Sequence, residues 1–159
     1  MPFPGGDPVE TGSGSSATIL DFIYDNHGLP FALNYSTNNG SSFTTYYYVL
    51  NLQGDVVKLV DGGGTSVASY AYDAWGNILS SSGSKAEINP LRYRGYYQDS
   101  ETGFYYLQSR YYDPTICRFI NADSYASTGQ GLLDYNMFAY CKDNPVNQMD
   151  PTGEFGFWG

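Results

Sequence analysis

The sequence is short of positive charge: seven Lys and Arg stand against sixteen Asp and Glu in 159 residues, a formal net charge of −9. Lys and Arg supply most of the affinity for nucleic-acid phosphates, and they also draw a protein to an anionic membrane surface. The deficit argues against both partners and leaves room for a basic one. Histidine occurs once, as His27, and cysteine twice, as Cys117 and Cys141. That excludes a His-rich metal centre and the dense disulfide framework of small secreted scaffolds. The lone His27 sits far upstream of Cys117 in a turn motif without triad spacing, which argues against a nucleophile–histidine pair. Two unbridged thiols or a single bridge both stay open. Carboxylates are then the remaining ligand class, and they lack the spacing of a calcium loop. There is no phosphate-binding glycine loop and no dinucleotide fingerprint, so neither metal nor cofactor is expected. No apolar run approaches the ~20 residues that span a bilayer. Residues 1–16 lack the basic region and apolar core of an export signal.

What is present is tyrosine and glycine, 17 and 19 residues respectively. Tyr favours strands and has a polar tip, so it suits a sheet face whether dry or wet. Gly supplies tight turns at positive φ. Together they predict an all-β chain of many short antiparallel strands. Pro2, Pro4, Gly5, Gly6, Gly12 and Gly14 give residues 1–18 the look of a flexible leader or an artificial boundary. Asn34-Tyr-Ser36 and Asn39-Gly-Ser41 fit the N-glycosylation pattern, which matters only in a host that performs it.

A pattern then repeats over 19–88. Tyr24-Asp25-Asn-His-Gly28 precedes Leu29, Phe31 and Leu33; Asn51-Leu-Gln-Gly54 precedes Val56, Val57, Leu59 and Val60; Tyr72-Asp73-Ala-Trp-Gly76 precedes Ile78 and Leu79. In each, an aromatic or apolar residue ends a strand, Asp or Asn accepts backbone hydrogen bonds, and Gly takes the conformation others resist. Spacing in the low twenties fits a two-strand hairpin unit that cannot bury its face alone. Alternation places Val56, Lys58 and Val60 on one face and Val57 and Leu59 on the other, so both faces are largely apolar.

From Asn89 the chain is less repetitive and richer in aromatics. Residues 91–97 and 104–112 read as paired strands joined through Gln98-Asp-Ser-Glu-Thr-Gly103, with Arg92, Arg94 and Tyr96 on one face. Arg110 falls beside Tyr106 and Tyr112, and arginines stacked on tyrosines would act chiefly as structural latches. Residues 132–141 read as either a short helical turn or an irregular strand. Phe155, Phe157 and Trp158 are too apolar for a solvated tail, so they either pack or mark a truncation.

The segment from Leu91-Arg-Tyr-Arg-Gly-Tyr-Tyr-Gln-Asp to Tyr111-Tyr-Asp-Pro114, followed by Arg118-Phe-Ile-Asn-Ala-Asp123, Asn136-Met-Phe-Ala-Tyr140, Asn144-Pro-Val-Asn147 and Asp150-Pro-Thr-Gly153, resembles the RHS repeat-associated core domain. The two Tyr-Asp-x-x-Gly copies are similar to YD repeats. The resemblance covers roughly residues 20–155. It implies antiparallel β-hairpin repeats over 19–88 forming a curved strip, a fragment of an RHS/YD-repeat shell. A core over 89–153 would end in a short irregular or helical C-terminal segment, with a tail at 154–159. It further implies a secreted or surface-exposed bacterial protein whose shell holds a toxin domain that usually follows the core and is absent from this chain. The export signal would lie elsewhere in the parent.

The same resemblance implies self-cleavage of aspartyl type near the terminating motif. Matched residue by residue, Asp123 is the first catalytic candidate, Asp134 or Asp150 the second carboxylate, and Arg118 the basic partner. The chemistry needs two carboxylates sharing a proton, one activating water and one protonating the carbonyl or the leaving amide. Asp150, Pro151, Gly153, Glu154 and Phe155 form the cleavage motif, with a cut after Glu154, after Phe155 or not at all. Where the family usually has Gly before Arg-Phe-Ile, this chain has Cys117. If that site needs positive φ, Cys costs about 1 kcal/mol or more.

The expected partners are the rest of the shell and its toxin cargo, with self-association through exposed strand edges. A reading from another class is an extracellular carbohydrate-binding or adhesive module without catalysis, in which tyrosines, Trp75 and Trp158 stack on sugars such as those of a cell wall.

Overall fold

A computed structural model describes residues 7–107, 110–120, 145–146, 148–149 and 157–158. Seven strands, β1 (Val9–Thr11), β2 (Thr18–Tyr24), β3 (Pro30–Ser36), β4 (Thr44–Leu50), β5 (Val56–Val60), β6 (Ser66–Tyr72) and β7 (Ile78–Ser82), form one sheet in chain order. A second sheet has the order β11 (Arg118–Phe119), β10 (Tyr111–Asp113), β9 (Tyr105–Tyr106), β8 (Tyr97–Gln98). Every registered pair is antiparallel. Among the described residues the helical segments are two three-residue 3-10 turns. The expected all-β, antiparallel hairpin architecture is what is found; residues 132–141 lie outside the described residues.

The repeat is a turn repeated. In Asp25–Leu29, Asn51–Asp55, Asp61–Thr65 and Asp73–Asn77 the first residue donates its N–H to the fifth residue's carbonyl, and the fourth, a Gly, donates back to the first. Oδ1 of the first side chain accepts the N–H groups of the third and fifth residues at 2.8–3.0 Å. The carboxylate or amide thus pairs donors the turn would otherwise leave open. Gly is required at the fourth place because φ there runs from 77° to 98°. Three of these turns had been expected. The Asp61 turn is an addition, in which Asp61-Gly-Gly-Gly64-Thr65 follows directly on β5.

By contacts the chain divides into two compact units: Met1–Tyr70 with Ser81–Glu87, and Ala71–Ser80 with Ile88–Gly159. In the first, Leu33 lies opposite Tyr46, and Leu59 lies opposite both Tyr48 and Ala68. Leu33, Tyr46, Leu59 and Ala68 are all buried. Each fully buried leucine contributes roughly 1.5–3 kcal/mol by transfer from water. Tyr70 closes the set by donating to Ala86 O at 2.6 Å, and the Lys85 ammonium lies 5.0 Å from the centre of the Tyr35 ring. Ile23, Phe31, Tyr47 and Val49 stay exposed, so apolar residues do occupy both faces.

The predicted alternation along β5 is corrected. Val56 and Leu59 are both fully buried while Lys58 is exposed. Lys58 pairs with Val49 but Val56 pairs with Leu50, leaving Val57 as an extra residue. Such a bulge shifts the two-residue period by one and brings Val56 onto the side of Leu59.

In the second unit a cluster of Tyr93, Tyr96, Tyr105, Leu107, Tyr112 and Phe119 forms the core, with Tyr72 and Trp75 packed on it. Neither strand expected here is continuous. Leu91 bridges Tyr97 across a tight turn in which Arg92 N–H bonds Tyr96 O and Gly95 N–H bonds Arg92 O. Arg94, at φ 55°, and Gly95, at φ 72°, reverse the chain, so Arg92 and Arg94 do not share a strand face. Likewise 104–112 folds back on itself as β9 and β10, with Tyr106 opposite Tyr111. The arginine latches are real but differently seated. Buried Arg94 lies 5.2 Å from the Tyr93 ring centre and donates to Pro145 O, whereas buried Arg110 stacks 3.5 Å over Phe119. Phe157–Trp158 form strand β13, paired with β12 (Gln148–Met149).

Candidate functional site

The third YD turn, Asp73–Asn77, is built into the second unit by hydrogen bonds from tyrosines far along the chain. Three hydroxyls reach three consecutive carbonyls: Tyr93 donates to Ala74 O at 2.7 Å, Tyr112 to Trp75 O at 2.6 Å and Tyr105 to Gly76 O at 2.9 Å. The rings belong to the aromatic core, with Tyr105 and Tyr112 stacked at 6.4 Å and Tyr93 tilted against Tyr105 at 5.8 Å. The tyrosines thus bury apolar area at one end and pair backbone acceptors at the other. Gly76 permits the approach: a Cβ there would stand 2.6 Å from Cδ1 of Tyr93.

Asp73 and Asn77 tie the turn internally and outward. Asp73 Oδ1 accepts from Trp75 N and Asn77 N, and Oδ2 accepts from Asn77 Nδ2 at 2.8 Å. Burial pulls the Asp73 pKa upward, but the donations from Asn77, Trp75 and Gly76 outweigh it and hold the carboxyl below its usual range. The same Asn77 Nδ2 donates to Pro114 O at 2.9 Å. Pro114 opens the loop between β10 and β11, in which Asp113 Oδ1 accepts from Thr115 N at 2.8 Å and Cys117 Sγ lies 3.6 Å from Pro114 O.

Asn77 was not singled out from sequence. A signal was available: Asn51 and Asp55 form the same amide–carboxylate pair with the residue types exchanged, Asn51 Nδ2 donating to Asp55 Oδ2 at 2.9 Å. Cys117 has φ 59°, so the place where a glycine was expected does require the left-handed conformation. Arg118 is exposed on β11, opposite Asp113. Asp123, Asp134, Asp150, Pro151, Gly153, Glu154 and Phe155 lie outside the described residues. Of the two glycosylation triplets, Asn34 is engaged between Asp21 and Thr45 at 3.2 and 2.8 Å, whereas Asn39 is exposed. Among the described residues no group of three or more His, Cys, Asp or Glu is placed to hold a metal ion.

Hairpin repeats carrying Asp-x-x-Gly turns, with one turn docked on a tyrosine-rich core, define a YD-repeat β-shell protein. The family model described as Teneurin YD-shell matches residues 13–146, and the chain belongs to that family. It is 41% identical over 120 residues to the tRNA3(Ser)-specific nuclease WapA of Bacillus spizizenii, covering 75% of this chain and 5% of that protein. It is also 41% identical over 111 residues to the tRNA(Glu)-specific nuclease WapA of Bacillus subtilis subsp. natto, covering 69% and 5%. The chain therefore spans about one twentieth of the length of these relatives. Among solved structures it is similar in fold to a chain of the TcdB2-TccC3 crystal structure, with a TM-score of 0.75, 23% identity and coverage of 89% of this chain and 7% of that one.

Proposed function

We propose that this chain is the shell segment of a secreted or surface-displayed bacterial toxin protein, which walls in and presents a downstream toxin domain. Its partners are the rest of the shell and that cargo. The observation that carries this reading is that two relatives named for different tRNA targets share the same 41% identity with it over a small part of their length. A region common to nucleases of different specificity fits a carrier, with the toxic chemistry elsewhere in those proteins. The acidic charge of −9 also suits a wall facing a basic cargo better than a surface that itself grips nucleic acid.

The shell segment also releases its cargo by cutting its own chain near residues 150–155. Asp123 activates water, Asp134 or Asp150 supplies the second carboxyl, and Arg118 stabilises the charge that develops. Support comes from the order of the motifs around Arg118, Asp123 and Asp150-Pro-Thr-Gly153 and from the exposure of Arg118. The test is intact mass of the chain with a reporter domain fused after Gly159, compared with its Asp123→Asn version. Release near residues 150–155 that the substitution abolishes supports self-cleavage. A folded fusion that stays intact in both rules it out and leaves the carrier role alone.

A further inference from the structure

We propose that Asn77 is a positioning residue for the loop that delivers Arg118. Its side-chain amide donates twice, to Asp73 Oδ2 at 2.8 Å and to Pro114 O at 2.9 Å. One end of that bridge is fixed. Asp73 is held by the turn's own backbone donors, and the turn carbonyls are held by Tyr93, Tyr112 and Tyr105. The other end is the first residue of a loop that must carry a non-glycine residue at positive φ, Cys117, directly before Arg118. Such a loop stores strain and relaxes unless an outside contact determines it. Among the contacts of the described residues, the Asn77 amide is a side-chain donor to this loop's backbone from outside its own stretch, 37 residues away in sequence. The last repeat turn therefore sets where β11 begins and where the Arg118 guanidinium points. In a complete shell this couples repeat docking to the placement of the core's charged group. The use made of Arg118 rests on the self-cleavage reading above; the positioning of the loop does not.

The test separates the two. The reporter fusion is prepared as the parent chain, as Asn77→Ala and as Asn77→Ser, the last keeping a small polar residue should alanine prevent folding. Two quantities are read below the melting temperature of each protein: the rate of reporter release, and the rate at which Cys117 is alkylated, assigned by peptide mass so that Cys141 does not interfere. Loss of the bridge is expected to raise Cys117 labelling about tenfold, as a lost part-buried hydrogen bond shifts a local opening equilibrium. It is expected to slow release on the order of 10- to 100-fold through misplacement of Arg118, with the pH profile of the residual rate unchanged. A merely destabilised protein would not show faster labelling of Cys117 alone. If the parent fusion never releases the reporter, self-cleavage fails while labelling still decides the loop. Unchanged labelling in a folded variant overturns the proposal, as does unchanged release in a parent that cleaves.

Discussion

Cys117 occupies, in the loop after β10, the place that Gly103 occupies in the loop after β8. Each stands four residues beyond an aspartate, Asp113 and Asp99, whose Oδ1 accepts the N–H two residues on. Each has positive φ, 59° for Cys117 and 77° for Gly103. A non-glycine residue in this region costs roughly 1–2 kcal/mol, against about 0.4–1 kcal/mol of unfolded-state entropy that glycine adds. Cys117→Gly should accordingly raise stability by roughly 0.5–1 kcal/mol in urea unfolding followed by tyrosine fluorescence. A decrease would show that the thiol contributes more than the strain costs.

Much of the fold was open to sequence reading because its turns carry their reason locally. Asp25, Asn51 and Asp73 announce a turn by side chains that bond backbone two and four residues on, within the reach of a short motif. What escaped depends on distance or on a local reversal. The contacts of Tyr93, Tyr105 and Tyr112 with the Asp73 turn span 19 to 37 residues, and nothing near any of these tyrosines specifies its target. The 91–97 segment alternates like a strand, yet Arg94 and Gly95 at positive φ close it into a turn. Val57 slips the register of β5 without any proline or glycine to mark the bulge. Asn77 was missed because the pair it makes with Asp73 is ordinary, whereas its second bond, to Pro114, follows from the tertiary fold.

Identical motif positions should respond differently to one substitution. Gly28 and Gly76 both hold the fourth place of a YD turn, at φ 77° and 98°. A Cβ on Gly28 meets nothing within 4 Å, so Gly28→Ala should cost about 1–2 kcal/mol, from backbone strain alone. A Cβ on Gly76 would press on Tyr93, with Cδ1 at 2.6 Å and Cγ at 2.8 Å. That adds about 1–3 kcal/mol of overpacking and disturbs the Tyr93 and Tyr105 hydroxyl bonds. Paired denaturant curves should place Gly76→Ala well below Gly28→Ala. Equal losses would remove the tyrosine contacts as the reason for the difference.

Acid should expose the role of Asp73. Its carboxyl pKa is lowered in the folded chain, where donations from Asn77, Trp75 and Gly76 overcome the opposing effect of burial. A depressed folded pKa contributes stability that is present above the unfolded value, about 3.9, and is lost as pH falls through the folded one. Asp73→Asn removes that contribution. Parent and variant should differ most above about pH 4 and converge at lower pH. A constant gap in unfolding free energy across the acid range would place the effect in packing and not in ionisation.

Alkali should unfold the first unit through its tyrosines. Burial raises the Tyr24 hydroxyl to about 12. It raises Tyr48 well above its usual value, with further contributions from Tyr24 and Tyr70. A raised folded pKa means that stability is fully present below the unfolded value, about 10, and is lost as pH rises through the folded one. Loss of the β signal in circular dichroism should therefore begin above about pH 10 and run together with the late part of the tyrosinate absorbance rise. Tyr48→Phe keeps the ring and removes the ionisable group, so it should move the transition to higher pH, while Tyr106→Phe serves as comparison. The Tyr106 pKa is also raised, by burial and by Tyr111, but it lies in the second unit. Should the Tyr48→Phe transition stay where the parent's is, ionisation of Tyr48 does not limit the alkaline stability of this sheet.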